Sequence, residues 1–367
     1  MHQTYQKNIN PLRKIFGRKR DVRNFLRKAF PYFSKKPFNI IIHANDICNS
    51  RCTTCYIWKN EDKEQLSVEK IDSVINDIFS ITGPRTVTIS GGEPLLRSDI
   101  YQIIQGIKKR NGSVRLLTNG LLLTPLVIKK LHESKLDCVV ISLNSTDPAI
   151  HDRSRGMPGN HQRIMEAVNH INEQYPDMQI DFTCILFKEN LEEVPHLVTY
   201  AKSKGATMSF QPIRPILYGN RYLEKDQAAK YFSELLPDSN EKTSKALQML
   251  EDTPSFGEGI FLPKSYIKLY RSYFNDPYHP SKKKVDDTFL FIRHNGIVQF
   301  NTRLPAIGNI HDSSIKDILS GEEARRQLSD CYKEEVCLCE INPKPRDFYQ
   351  VGKDALVHVL KSVRKQD

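Results

Sequence analysis

The chain has 367 residues, 39% of them hydrophobic and 26% charged, and its 54 Lys and Arg outnumber 43 Asp and Glu for a net charge of +11. That length exceeds an ordinary single domain and supplies a core, so one large unit plus a smaller module is expected. No run of about 18 apolar residues occurs, the N-terminus lacks the apolar stretch of a secretory signal, and eight cysteines in so long a chain are no disulfide scaffold, which excludes a membrane-spanning helix and a secreted mini-protein and predicts a cytoplasmic chain.

Residues 1–37 hold most of the net charge: eleven Lys and Arg against Asp21 give +10 and leave about +1 for everything after them. Ile15, Val22, Leu26, Ala29 and Phe33 recur at near-helical spacing, with Arg18, Lys19, Arg20, Arg23, Arg27 and Lys28 between them. A basic amphipathic helix over residues 12–33 suits packing on the body with its bases in water. It equally suits an anionic membrane surface, an acidic protein or peptide, or, last among these, nucleic acid.

From residue 38 onward, apolar β-branched runs alternate with helical patterns. Strands are predicted at Phe38–Ala44, Thr86–Ser90, Val114–Thr118, Cys138–Leu143, Asp181–Leu186 and Met208–Ile213, and helices near 67–80, 98–110, 124–133, 160–174 and 190–203. Alternation of this kind implies right-handed crossovers and a parallel α/β sheet, with six units rather than the eight of a full barrel. Cys138 and Cys184 fall inside strand patterns and read as core. Cys48, Cys52 and Cys55, spaced C-x3-C-x2-C after the first strand, do not. A [4Fe–4S] cluster normally takes four thiolates, so three would leave one iron open to an outside ligand. Taken alone, the triad also fits a zinc site or free thiols.

More elements follow at or just after strand ends, the face where parallel α/β folds bind ligands. They are Ser90-Gly91-Gly92-Glu93-Pro94, Thr118-Asn119-Gly120, Ile141-Ser142-Leu143-Asn144-Ser145 and His151-Asp152-Arg153-Ser154-Arg155-Gly156. With the cysteines, this order over residues 38–215 resembles the radical S-adenosylmethionine (SAM) superfamily. The resemblance implies a partial (β/α)6 TIM barrel with a [4Fe–4S] cluster on Cys48, Cys52 and Cys55. It implies that Gly91, Gly92 and Glu93 receive SAM's ammonium, that Asn119 lies at a further strand-end element, that Ser142 and Asn144 meet the ribose, and that Arg155 meets the carboxylate. It also implies an electron donor such as flavodoxin or ferredoxin, and reductive SAM cleavage to a 5′-deoxyadenosyl radical that takes hydrogen from a substrate carbon. Asn144 departs from the usual aspartate and Thr54 from a usual aromatic, with Tyr56 or Trp58 placed to supply that packing.

Beyond residue 212 the alternation ends. Helical patterns near 224–250 and 264–274 lead to a hairpin, Phe289–Arg293 and Ile297–Phe300 around Asn295-Gly296. A helix near 314–328, the cysteines Cys331, Cys337 and Cys339, and a last helix near 347–364 follow. This order resembles a degenerate SPASM/twitch extension, whose auxiliary cluster lacks an evident fourth ligand here; plain thiols, a cluster and zinc all remain open. The expected division is 1–37, 38–220, 221–340 and 341–367. The substrate class spans peptide or protein, sugar or other small metabolite, and a lipid-linked molecule, and 37 leading residues are too few for a leader-peptide-binding domain. The residue acting on the substrate radical is unassigned. The competing class is a degenerate iron–sulfur scaffold or redox sensor without turnover.

Overall fold

The structure is a computed structural model and describes residues 39–60, 63–214, 232–238, 240–253, 264–276, 283–284, 289–302, 304–329 and 331–332, with 230 and 260 between them. Six strands, β1 (Asn39–His43), β2 (Thr86–Ser90), β3 (Ser113–Thr118), β4 (Cys138–Ser142), β5 (Gln179–Leu186) and β6 (Thr207–Pro212), pair in chain order and all in parallel. Between and after them run α1 (Val68–Thr82), α2 (Ile100–Lys109), α3 (Pro125–Glu133), α4 (Pro148–Arg155), α5 (Asn160–Gln174) and α6 (Val194–Ser203). The sheet is open rather than closed, so the expected partial barrel is the observed architecture.

Strand alternation divides the two faces. Val87, Ile89, Val114, Leu116, Phe182, Met208 and Phe210 are buried and share one core with Ile75, Ile78, Ile104 and Ile107 of the helices. Their neighbours Thr88, Ser90, Leu117, Ser142, Thr183, Ser209 and Gln211 point to the opposite face and are half-buried. An all-parallel sheet ordinarily reads as a continuous apolar run. This face departs from that pattern by carrying polar side chains among Ile41, Leu117 and Ile185.

Most predicted elements fall within two residues of the observed ones. Two do not. Helix α4 is absent from the prediction, although Asp147 caps it by accepting from the Ala149 N–H and Pro148 takes the first turn, where its missing N–H costs nothing. The predicted helix at 314–328 breaks at Gly321 into α9 (Ile315–Ser320) and α10 (Glu322–Ser329).

The C-terminal hairpin also differs from the expected separate module. Strand β7 (Lys283–Lys284) pairs only with β11 (Cys331–Tyr332), but β8 (Phe289–Ile292) lies parallel to β1, with Ile40 opposite Leu290 and Ile42 opposite Ile292. Strands β9 (Ile297–Gln299) and β10 (Gly308–Asn309) continue outward, giving one nine-stranded sheet. Helices α7 (Glu241–Asp252) and α8 (Lys264–Asn275) precede the hairpin. The basic segment 1–37, Cys337, Cys339 and the last predicted helix lie outside the described residues, and so do 224–229, 231 and 239. Among the described residues no helix is long and apolar enough to cross a membrane.

Candidate functional site

The three cysteines ride on the loop after β1, and segments far away in sequence hold that loop. Gly92 N–H donates to the Asn45 carbonyl at 2.9 Å and Glu93 N–H to the Ile47 carbonyl at 2.8 Å. On the other flank, Arg51 N–H donates to the Arg155 carbonyl at 3.1 Å and Thr53 N–H to the Ser154 carbonyl at 3.0 Å. The approach is close enough to demand glycine: a Cβ on Gly91 would overlap the Asn45 carbonyl, one on Gly92 the Ile47 carbonyl and one on Gly156 the Arg51 carbonyl. Gly91 at φ +126° and Gly156 at φ +61° also adopt backbone that side chains disfavour. The cysteine loop is thus seated between the ends of β2 and α4.

Burial pushes the Cys48 thiol up to about 11 and the Cys55 thiol up to about 12, and Cys52 repels the charged form of both. That repulsion couples Cys52 to both of the other thiols. Among the described residues no three His, Cys, Asp or Glu side chains close around a single metal ion. Three thiols on one loop, two of them pushed up by burial, suit a [4Fe–4S] cluster with one open iron.

Glu93 is fully buried. Its Oε1 accepts from Leu95 N–H at 3.1 Å and Thr118 Oγ–H at 2.9 Å, and its Oε2 accepts from Asn119 N–H at 2.7 Å. Burial pushes its carboxyl above the usual range while these donors and Arg155 pull against it. The carboxylate thus ties the end of β2 to the end of β3, and Oε2 keeps a lone pair beyond the Asn119 N–H. Asn144 is equally committed: Nδ2 donates to Ser154 Oγ at 3.0 Å, and Oδ1 accepts from Ile185 N–H at 3.2 Å. Ser142, half-buried opposite Thr183, is the open polar group at that strand end. The Asn144 N–H donates to His151 Nδ1 at 3.2 Å, and Asn160 Nδ2 lies 3.2 Å from His151 Nε2; burial, with Arg155 and His161 adding, pushes His151 down to about 2.

Arg155 is the exception to this pairing. It is 9% exposed, and among the described residues its guanidinium makes neither a hydrogen bond nor an ion pair. It faces Cys48, Cys55 and Glu93 electrostatically. A buried cation without a counter-ion is costly unless a ligand supplies one. A ligand carboxylate beside the cysteine loop fits this vacant charge, as SAM would provide.

Three supporting residues carried no motif. Glu193 accepts from Ser145 Oγ–H at 2.7 Å, Thr146 N–H at 3.0 Å and Thr146 Oγ–H at 2.9 Å, holding the loop after β4. Buried Asp46 and His294 stand 3.3 Å apart and join the cysteine loop to the C-terminal hairpin. Sequence spacing does not reveal such partners, because each lies far along the chain. Of the weaker cysteine set, Cys331 lies in β11 with its backbone alone described.

Residues 42–201 match the profile of the radical SAM superfamily. The chain is 31% identical over 161 residues to the AdoMet-dependent heme synthase of Methanosarcina barkeri, covering 43% of this chain and 45% of that one. It is 29% identical over 227 residues to the GTP 3′,8-cyclase of Alkaliphilus oremlandii, covering 58% and 69%. The chain therefore spans less than half the first relative's length. Its fold resembles anSMEcpe with bound AdoMet and Cp18Cys peptide, at TM-score 0.59, 17% identity, 90% of this chain and all of that one. It also resembles SuiB of Streptococcus suis bound to precursor peptide SuiA, at TM-score 0.56, 15% identity, 82% of this chain and 68% of that one. With its cysteine loop clasped by the glycine and arginine elements, the stretch 42–201 is a radical SAM superfamily domain.

Proposed function

We propose that this chain is a radical SAM enzyme acting on a polar substrate, a peptide or a small metabolite. The observation that carries the reading is Arg155, a buried unpaired cation beside three gathered cysteines. Cys48, Cys52 and Cys55 would hold a [4Fe–4S] cluster, and Arg155 would bind SAM's carboxylate. When bound, the two cofactors supply a 5′-deoxyadenosyl radical able to remove hydrogen from an unactivated carbon. The chain's own work is to position and shield. Gly91, Gly92 and Gly156 fix the loop, Glu93 locks two strand ends, and Glu193 holds the segment after β4 in place.

The half-buried Thr88, Ser142, Thr183, Ser209 and Gln211 on the inner face support a polar substrate over a lipid-linked one. Peptide-bound SuiB and anSMEcpe support the peptide class, while the heme synthase and the cyclase support small metabolites. A flavodoxin or ferredoxin is the fitting donor. The basic segment before β1, at +10, supports docking to an anionic surface, which co-sedimentation of the full chain with anionic but not neutral vesicles checks.

The decisive test is anaerobic. Reconstituted protein should hold iron, and with dithionite and SAM it should release 5′-deoxyadenosine. Replacing all three loop cysteines by Ala should remove both the iron and the visible absorption. A full cluster in that triple variant would sink the assignment, and a cluster-loaded wild type that never cleaves SAM would favour the scaffold reading.

A further inference from the structure

We propose that Asn119 serves the iron–sulfur site: its side-chain amide positions the Cys48 thiolate and raises the cluster's reduction potential, and it does not bind the nucleotide. The inference rests on the cluster reading above and goes beyond it. Asn119 sits at the end of β3, on the strand-end element that resembles a SAM contact. Its Nδ2 donates to Asn49 Oδ1 at 2.7 Å and reaches Cys48 Sγ at 3.9 Å, within the longer range of bonds to sulfur. Its Oδ1 accepts from Leu121 N–H at 2.9 Å. The main chain is held as well, with N–H on Glu93 and the carbonyl accepting from Asn160 Nδ2 at 3.2 Å. Asn119 is 3% exposed, so neither amide hydrogen is left for a ligand.

Cys48 is thereby set apart from its partners. Among the described residues it alone of the three has a side-chain donor, and Ser50 N–H adds a second bond at 3.4 Å. Reducing a cluster adds negative charge that its sulfurs share. Hydrogen bonds to those sulfurs stabilise the reduced form and lift the potential. Because Glu93 fixes the Asn119 main chain, this donor is delivered by β2 and β3 together, and the cysteine loop does not have to order it.

The test uses anaerobically reconstituted full-length protein without SAM, its iron assayed and its midpoint potential read by EPR-monitored potentiometry. Asn119→Ala and Asn119→Asp should keep the cluster and shift the midpoint to more negative values, the Asp variant further because it adds charge. Asn49→Ala, which frees the loop side chain but leaves the donor to Cys48, should stay near wild type. SAM affinity of cluster-loaded Asn119→Ala should match wild type. If the Ala variant fails to hold iron, the isosteric Asp variant carries the comparison. An unmoved midpoint with a full cluster overturns this inference alone, as does an equal shift in Asn49→Ala or a loss of SAM affinity without a shift. Absence of a cluster from the wild type overturns it together with the proposed function.

Discussion

Glu93 joins two strand ends through three buried donors. Replacing it by Ala deletes the acceptor for three buried donors, the N–H groups of Leu95 and Asn119 and the Thr118 hydroxyl. Each orphaned donor costs about 1–3 kcal/mol. The hydroxyl can turn elsewhere, so the sum is about 3–6 kcal/mol. At about 2–4 °C per kcal/mol for domains near this size, the melting temperature should fall by on the order of 10 °C. Glu93→Gln should fall in between, about 1–3 kcal/mol, because its amide keeps one acceptor and turns a donor toward another. Thermal unfolding followed by far-ultraviolet circular dichroism, on protein without SAM, measures both. A Glu93→Ala protein that melts with wild type while losing SAM affinity would refute the reasoning and return the carboxylate to the ammonium.

The other predictions concern neighbouring groups. Arg155→Met should weaken SAM binding by about 1.5–3 kcal/mol, roughly ten- to a hundredfold, while raising the melting temperature of SAM-free protein by removing an unpaired buried cation; calorimetry and melting curves read the two effects. Gly92→Ala should forfeit the Gly92–Asn45 and Glu93–Ile47 bonds through overlap with the Ile47 carbonyl, and reconstituted iron should drop accordingly. Buried His151, held down at about 2 against about 6.5 unfolded, binds its proton mainly in the unfolded state between those values, so stability rises with pH. Acidifying from about pH 7 to 5 should therefore remove about 2 kcal/mol through this group, and His151→Gln should flatten the slope by one proton; an unchanged slope would exonerate the ring.

Much of the fold and part of the site were legible in the sequence. Six strands and five helices declare themselves because β-branched runs and helical spacing alternate with little interruption, and every motif but the one on α4 falls where a strand ends. Helix α4 is masked in the sequence by its polar, motif-bearing residues, although the Asp147-Pro148 start is a usable signal. The roles of Glu93 and Asn144 were not legible. A carboxylate or an amide in a motif looks the same whether it faces a ligand or the protein's own donors, and only packing decides. The pairing of β8 with β1 was hidden for another reason. Hairpin signals are local, whereas strand partners across hundreds of residues are chosen by which edge is left open.

That pairing also sets a schedule. Strand β1 leaves the ribosome roughly 250 residues before β8, which at about 5–20 residues per second is on the order of 12–50 s. Through that interval Ile40, Ile41 and Ile42 form a bare apolar margin on a half-built sheet, beside thiols that must stay reduced. The nascent chain is thus most prone to stray pairing just where iron must later be loaded, and a chain cut before residue 289 should aggregate through the same margin.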